Sequence, residues 1–138
     1  MASGFSDYLE NALLNNHFNA GTLTIPASIH LSLHTASVTD AGTGAEVSTT
    51  GTAYARLAVV RNTTNFPTAT GTTGVISNGT LLQWAVATAS WGTLTAFGIW
   101  DATTAGNLLY WGDLTATKVI DNGDRFEFPI GNLTITLA

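Results

Sequence analysis

Residues 84–114 constrain the fold more than any other part of this chain. They include all four tryptophans, no Lys or Arg, and only two acids. A segment so aromatic and so poor in charge has to bury surface, either in a core or against a partner. Turn-forming clusters at 101–107 and 90–92 divide it into pieces with the length and composition of β-strands. We therefore predict that this stretch is the central hairpin of an all-β domain.

Charged residues are scarce along the whole chain. They make up 9% of its 138 residues, against about 25% in a typical soluble domain. Every apolar run is interrupted by Thr, Gly or Asn, so no segment has the length that crosses a membrane. This composition suits a protein held in a permanent assembly. It also suits a Thr-rich β-domain that stays soluble through its hydroxyl groups.

Net charge and cysteine content exclude several kinds of partner and site. The net charge is −5, and the four cationic residues form no basic stripe, which argues against binding to nucleic acid. The absence of cysteine excludes disulfides, thiolate chemistry and cysteine-ligated zinc. Residues 1–16 lack the basic and apolar regions of a secretory signal, so we expect synthesis in a cytoplasm.

The N-terminal segment is predicted to be the one helix. Ser3 or Ser6 is a suitable N-cap, and acids follow in the first turn, where the helix dipole favours them. Residues that recur with helical spacing form one apolar face: Phe5, Leu9, Ala12 and Leu13. Residues 1–17 are predicted to be either an arm that docks on a neighbouring subunit or a helix that covers one end of the β-domain.

From residue 28 onward the sequence predicts strands. Apolar and polar residues alternate over 29–34, which places His30 and His34 on the outer face of a half-buried strand. Asn78-Gly79 is the strongest hairpin signal in the chain. About eight short strands with regular turns indicate an antiparallel sandwich or jelly-roll-like barrel over 28–138, which with the helix makes one domain, 1–138.

No catalytic or metal-binding motif is present in the sequence. His30 and His34 are about 13 Å apart along a strand, which is too far to share a metal ion. The loop 39–48 contains Asp40 and Glu46 but lacks the ligand spacing of an EF-hand. Serines, histidines and acids are numerous, yet their spacing does not support a catalytic triad. We expect no enzymatic activity, cofactor, metal or small-molecule substrate.

Four segments form the most distinctive set in the chain: MASGFSDYLENALLNN, TDAGTGAEVS followed by YAR, ATASWGTLTAFGIWDATTAGNLLYWGDLTATK, and DNGDRFEF with GNLTITL. Together they resemble a family of small tailed-bacteriophage virion proteins. Members of that family are often labelled tail fibre proteins, while small phage β-domains of this size commonly serve as capsid decoration (cement) proteins. The resemblance implies a non-enzymatic structural protein of the virion, made in the cytoplasm of a bacterial host.

The residues favour a place on the head within that family. A fibre is long and repetitive, whereas this chain has neither an internal repeat nor a shaft-forming segment. We expect a decoration protein that binds the major capsid protein as a homotrimer, with no contact to nucleic acid or membrane. The alternative is a tail fibre or tail-tip protein that binds host-surface glycans through exposed tryptophans. The candidate interface residues are Phe5, Leu9, Leu13, Phe66, Trp91, Trp100 and Trp111.

Overall fold

The computed structural model describes residues 2–137. Met1 and Ala138, at the ends of the predicted arm and sandwich, lie outside the described residues. The elements in chain order are β1 (Ser3–Phe5), α1 (Asp7–Phe18), β2 (Ser28–His34), β3 (Leu57–Val60), β4 (Val75–Ser77), β5 (Leu82–Gln83), β6 (Gly92–Trp100), β7 (Leu108–Ile120), β8 (Glu127–Phe128) and β9 (Thr134–Thr136). The prediction of an all-β chain with one short N-terminal helix is confirmed.

The strands form one large sheet and two small ones. The large sheet is antiparallel, with the order β1-β7-β6-β2-β3, while β4 pairs with β9 and β5 pairs with β8. Side chains from β2, β6 and β7 share one apolar core with Leu82, Phe128 and Ile135 from the small sheets. The small sheets therefore cover one face of the large sheet in a sandwich-like arrangement. Within residues 2–137 the sheets do not close into a barrel.

The central hairpin predicted from the aromatic stretch is present as β6 and β7. Asp101 closes its turn, because its carboxylate accepts hydrogen bonds from the backbone and side-chain nitrogens of Asn107, at 2.7 and 2.8 Å. Ala105 and Gly106 take left-handed backbone conformations that complete the reversal. The pairing places Phe97 opposite Gly112 and Ile99 opposite Tyr110, and the side chains of Phe97, Ile99 and Tyr110 enter the core.

The hairpin predicted at Asn78-Gly79 is wrong. The flanking strands β4 and β5 do not pair with each other, but with β9 and β8 respectively. Asn78 is buried, and its amide donates to the carbonyls of Thr80 and Pro129 and accepts from the backbone of Leu133. The residue therefore connects the two small sheets instead of forming an isolated tight turn.

The outward placement predicted for His34 is also wrong. Strand β2 is covered on both faces, because residues 35–46 fold across the side that the alternation assigns to solvent. Val38 from this segment packs with Ala96, Trp100 and Leu108 in a second, smaller core. His34 is consequently only 1% exposed.

The N-terminal segment differs from the prediction at its start. Residues 3–5 form an edge strand of the large sheet, so Phe5 lies on β1 and not on the helix, and its ring contacts Tyr110 edge-on. Helix α1 begins after Ser6, whose hydroxyl caps it by accepting a hydrogen bond from the amide of Leu9. No helix within residues 2–137 has the length and apolar character needed to span a bilayer.

Candidate functional site

A buried chain of polar side chains lies beneath the segment 35–46. The indole Nε1 of Trp100 donates to the Ser32 hydroxyl at 2.7 Å, and that hydroxyl lies 2.7 Å from Nε2 of His34. A hydroxyl that accepts from the indole nitrogen can still donate its own proton, so Ser32 is able to donate to His34. Burial disfavours the imidazolium and lowers the pKa of His34 to about 4.

Glu46, Arg56 and Tyr54 extend this polar layer. Burial alone would raise the pKa of Glu46, but two hydrogen bonds of 2.9 Å from Arg56, and its charge, lower that pKa below its ordinary value. The guanidinium also lies 4.1 Å from the centre of the Trp100 ring and donates to two carbonyls of the 101–107 turn. Tyr54 donates to Glu46 and accepts from the amide of Leu33, while burial raises its pKa.

The geometry of this layer suits structure and not catalysis. Ser32 and His34 are adjacent, as a nucleophile and a base would be, but they are 0% and 1% exposed, so the Ser32 hydroxyl has no route to a substrate. Glu46 is occupied by Arg56 and Tyr54. Among residues 2–137, no group of three or more His, Cys, Asp or Glu side chains is placed to hold a metal ion. The layer fixes the covering segment and the hairpin turn to the large sheet.

Three of the four tryptophans are buried in the fold. Trp84, Trp91 and Trp100 are 3%, 4% and 9% exposed. Trp91 donates to the carbonyl of Thr52, so its polar atom is satisfied internally, as that of Trp100 is. Trp111 alone is half-buried, and its Nε1 donates to Asp40 at 2.6 Å. Of the predicted aromatic interface residues, Phe5, Phe66 and Trp111 are half-buried and offer surface to a partner, whereas Trp91 and Trp100 are buried.

The other predicted interface residues lie beside a surface groove. Phe5 and Leu13 line it together, while Leu9 is half-buried against the main core and Phe66 lies in a different depression beside Ile135. The most exposed apolar side chains of this region are not among the predicted residues: Leu14, Phe18 and Leu137 are 58%, 84% and 59% exposed. The spacing of Leu14 and Phe18, one helical turn apart, is the signal that identifies a shared surface.

The groove separates β1 from the C-terminal end of β9. It has a volume of about 450 Å³. Its lining residues are Ser3, Gly4, Phe5, Glu10, Leu13, Leu14, Thr136 and Leu137. A smaller cavity of about 130 Å³ lies at the other end of β1, between Ser3, Asp113 and Thr134 among others. Ser3 borders both cavities, so they are neighbours along one strand.

Comparison with known proteins identifies the family. A family model described as "Podophage GP4 fiber I protein gp80" matches residues 4–136. The chain belongs to this gp80 family. No curated protein sequence matches it. The gp80 match covers almost the entire chain, which makes the chain a structural protein of the bacteriophage virion and bears out the resemblance to phage virion proteins at that level.

Proposed function

We propose that this gp80-family chain is a non-enzymatic structural subunit of a podophage fibre. The observation that supports this most directly is the family match over residues 4–136, since the family is described as a fibre protein. The chain's polar side chains agree with a structural role, because its Ser–His pair and its Arg–Glu ion pair are enclosed by the fold. Exposed apolar side chains on α1 and near the C-terminus supply surface for contacts with neighbouring subunits.

Immunogold labelling of intact virions tests the location. Antibody raised against the purified chain is applied to virions, with pre-immune serum as the control. Gold confined to the tail fibres supports the proposal. Gold spread over the head overturns it in favour of the second candidate, and virions without gold overturn both.

Capsid decoration is the second candidate function. The specific observations in its favour are the low content of charged residues, at 9%, and the uncovered side chains of Leu14, Phe18 and Leu137. A decoration protein of this kind would bind the major capsid protein as a homotrimer, so purified chain would have three times the mass of 14.4 kDa. Particles lacking the chain would then lose DNA at a lower temperature than complete particles.

If the chain is a tail-tip protein that binds glycans, only one of its tryptophans is exposed enough to do so. Trp111 is the one indole of the four with substantial exposed surface, and it lies next to Asp40. Iodide should therefore quench only a small part of the tryptophan fluorescence, and Trp111→Phe should remove most of that part. Protection of the quenchable fraction by an added host glycan would support glycan binding, whereas unchanged quenching argues against it.

A further inference from the structure

Two strand edges border the groove beside α1. Strand β1 is the last strand of the large sheet, and β9 pairs with β4 alone. Among residues 2–137, neither strand has a hydrogen-bonded neighbour on its second side. An exposed strand edge carries backbone amides and carbonyls that can pair with another chain. The groove therefore offers main-chain hydrogen bonding along β1 in addition to its apolar lining.

The rim of the groove is apolar and uncovered. Leu14 and Leu137 are more than half exposed, and Phe18 lies one helical turn beyond Leu14 with 84% of its surface in solvent. Helix α1 contributes no fully buried residue to the fold. A short helix gains most of its stability from packing, so the outer side of α1 is suited to a contact that the isolated chain does not make.

Acidic side chains border the groove and the two depressions next to it. Glu10 lines the groove, Asp113 lines the small cavity beside Ser3, and Asp7 and Asp40 line a depression at the start of α1. No Lys or Arg lines any of these three depressions. None of the four acids forms an ion pair, since the one ion pair of the described residues joins Glu46 to Arg56. This side of the molecule is therefore negatively charged.

This charge decides which partner fits the groove. Two copies joined by the same face would bring these acids against one another, and like charges held close together repel. We propose that the groove binds an extended segment of another virion protein that alternates basic and apolar residues. Its backbone adds to the edge of β1, its apolar side chains cover Leu14 and Leu137, and one of its cations meets Glu10.

Glu10 is the acid that a cation of the bound segment meets, because it lines the groove itself. Asp113 lines the neighbouring small cavity, and Ser3 on β1 borders both. The Asp113 carboxylate already accepts hydrogen bonds from the Ala2 amide and the Ser37 hydroxyl. Asp113 therefore adds negative charge near the start of β1 without being a direct contact.

Titration of the purified full chain with synthetic peptides tests the inference, and it does so wherever the chain lies in the virion. The probe is a short peptide that alternates lysine with leucine; the matched peptides replace every lysine by glutamate or every leucine by serine. Heteronuclear NMR reports where each peptide binds. We expect the lysine-leucine peptide alone to bind, with shifts confined to β1, α1 and β9, and with weaker binding at higher salt.

Variants of the groove and of distant surface residues distinguish binding at this site from nonspecific binding. We expect the affinity for the lysine-leucine peptide to fall at least about tenfold, a change of about 1.4 kcal/mol, in each of two variants. One combines Leu14→Ser with Leu137→Ser, and the other is Glu10→Lys. Ile130→Ser and Glu127→Lys change equally exposed residues elsewhere and should leave binding unchanged. Thermal unfolding of every variant confirms that it is folded.

Three results would overturn the inference. The first is equal binding of the glutamate-leucine peptide, and the second is a set of shifts outside the groove. The third is self-association of the purified chain that Leu14→Ser abolishes, because a second copy would then be the occupant.

Discussion

Among single residues, Asn78 is a buried side chain that bonds to backbone groups of three separate segments. It is 2% exposed. Its amide nitrogen lies 2.8 Å from the carbonyl oxygen of Thr80 and 3.0 Å from that of Pro129, and its amide oxygen lies 2.9 Å from the nitrogen of Leu133. These partners belong to segments that border three different strands, so one side chain satisfies backbone groups that no sheet ladder reaches.

Replacement of Asn78 by Ala should therefore strongly destabilise the fold. Each buried backbone group left without a partner costs about 1–3 kcal/mol, so we expect Asn78→Ala to lower the free energy of unfolding by about 3 kcal/mol or more. Urea titration measures this change. Asn11→Ala is the control, because Asn11 is exposed on α1, and its effect should stay within about 0.5 kcal/mol. Similar losses for both variants would contradict the role assigned to Asn78.

His34 should make stability depend on pH. The pKa of His34 is about 4 in the folded chain, against 6.5 for an unperturbed histidine. Between these two pH values the unfolded chain therefore binds a proton that the folded chain does not. Stability is then complete above pH 6.5 and falls as the pH is lowered towards 4. We expect a loss of roughly 2–3 kcal/mol between pH 7.5 and 4.5, measured by urea unfolding across that range.

His34→Gln is the matched variant for this experiment. Glutamine keeps an acceptor for the Ser32 hydroxyl but does not titrate, so the difference between the two pH profiles isolates His34. The lowered pKa of Glu46 begins to remove stability as the pH approaches the ordinary value of 4.5, at the lower end of the range, and it does so in both proteins. Parallel profiles for the two proteins would contradict the prediction.

At the level of elements, α1 depends on a single residue at its start. Ser6 is 1% exposed; its hydroxyl accepts from the amide of Leu9 and donates to the carbonyl of Leu108 on β7. The side chain therefore caps the helix and attaches it to the large sheet. The rest of α1 contacts the fold through half-buried residues such as Leu9 and through the backbone amide of Asp7, which donates to the carbonyl of Asp40.

Ser6→Ala should loosen α1 while leaving the sheets intact. Loss of an N-cap costs about 0.5–2 kcal/mol, and the unpaired carbonyl of Leu108 adds to this loss. We expect a decrease of about 2 kcal/mol in the free energy of unfolding, together with faster hydrogen exchange within residues 7–18. Ser3→Ala, on the exposed edge strand, is the control. Unchanged exchange in α1 would show that Ser6 does not hold the helix.

For the whole molecule, one apolar core connects the large sheet with both small sheets. It includes Ile29 near the start of β2, Phe97 on the central hairpin, and Leu133 just before β9. Side chains from widely separated parts of the chain thus exclude water together. A core shared in this way favours cooperative unfolding of the entire chain.

Calorimetry should show this cooperativity as a single transition. Because both small sheets share their core with the large sheet, we expect one endotherm whose calorimetric enthalpy equals its van 't Hoff enthalpy. This measurement also tests the prediction that residues 1–138 form one domain. Two separable transitions would contradict it, and the variant Ser6→Ala would then show which transition contains α1.

The sequence by itself determined the features that depend on neighbours along the chain. The turn cluster at 101–107 joins strands adjacent in sequence, so the central hairpin of β6 and β7 could be predicted from it, as the structure confirms. Ser6 was one of two predicted helix caps. The family resemblance belongs to the sequence as well, because it depends on the order of residues alone.

Only the tertiary structure decided the features that depend on distant parts of the chain. Asn78-Gly79 has the local chemistry of a hairpin, but β4 and β5 find better partners more than forty residues away, in β9 and β8. Alternation over β2 distinguishes two faces without showing that residues 35–46 cover the second one and bury His34. The groove beside α1 arises where β1 and the end of β9 meet in space, and no local pattern encodes the approach of the two ends of a chain.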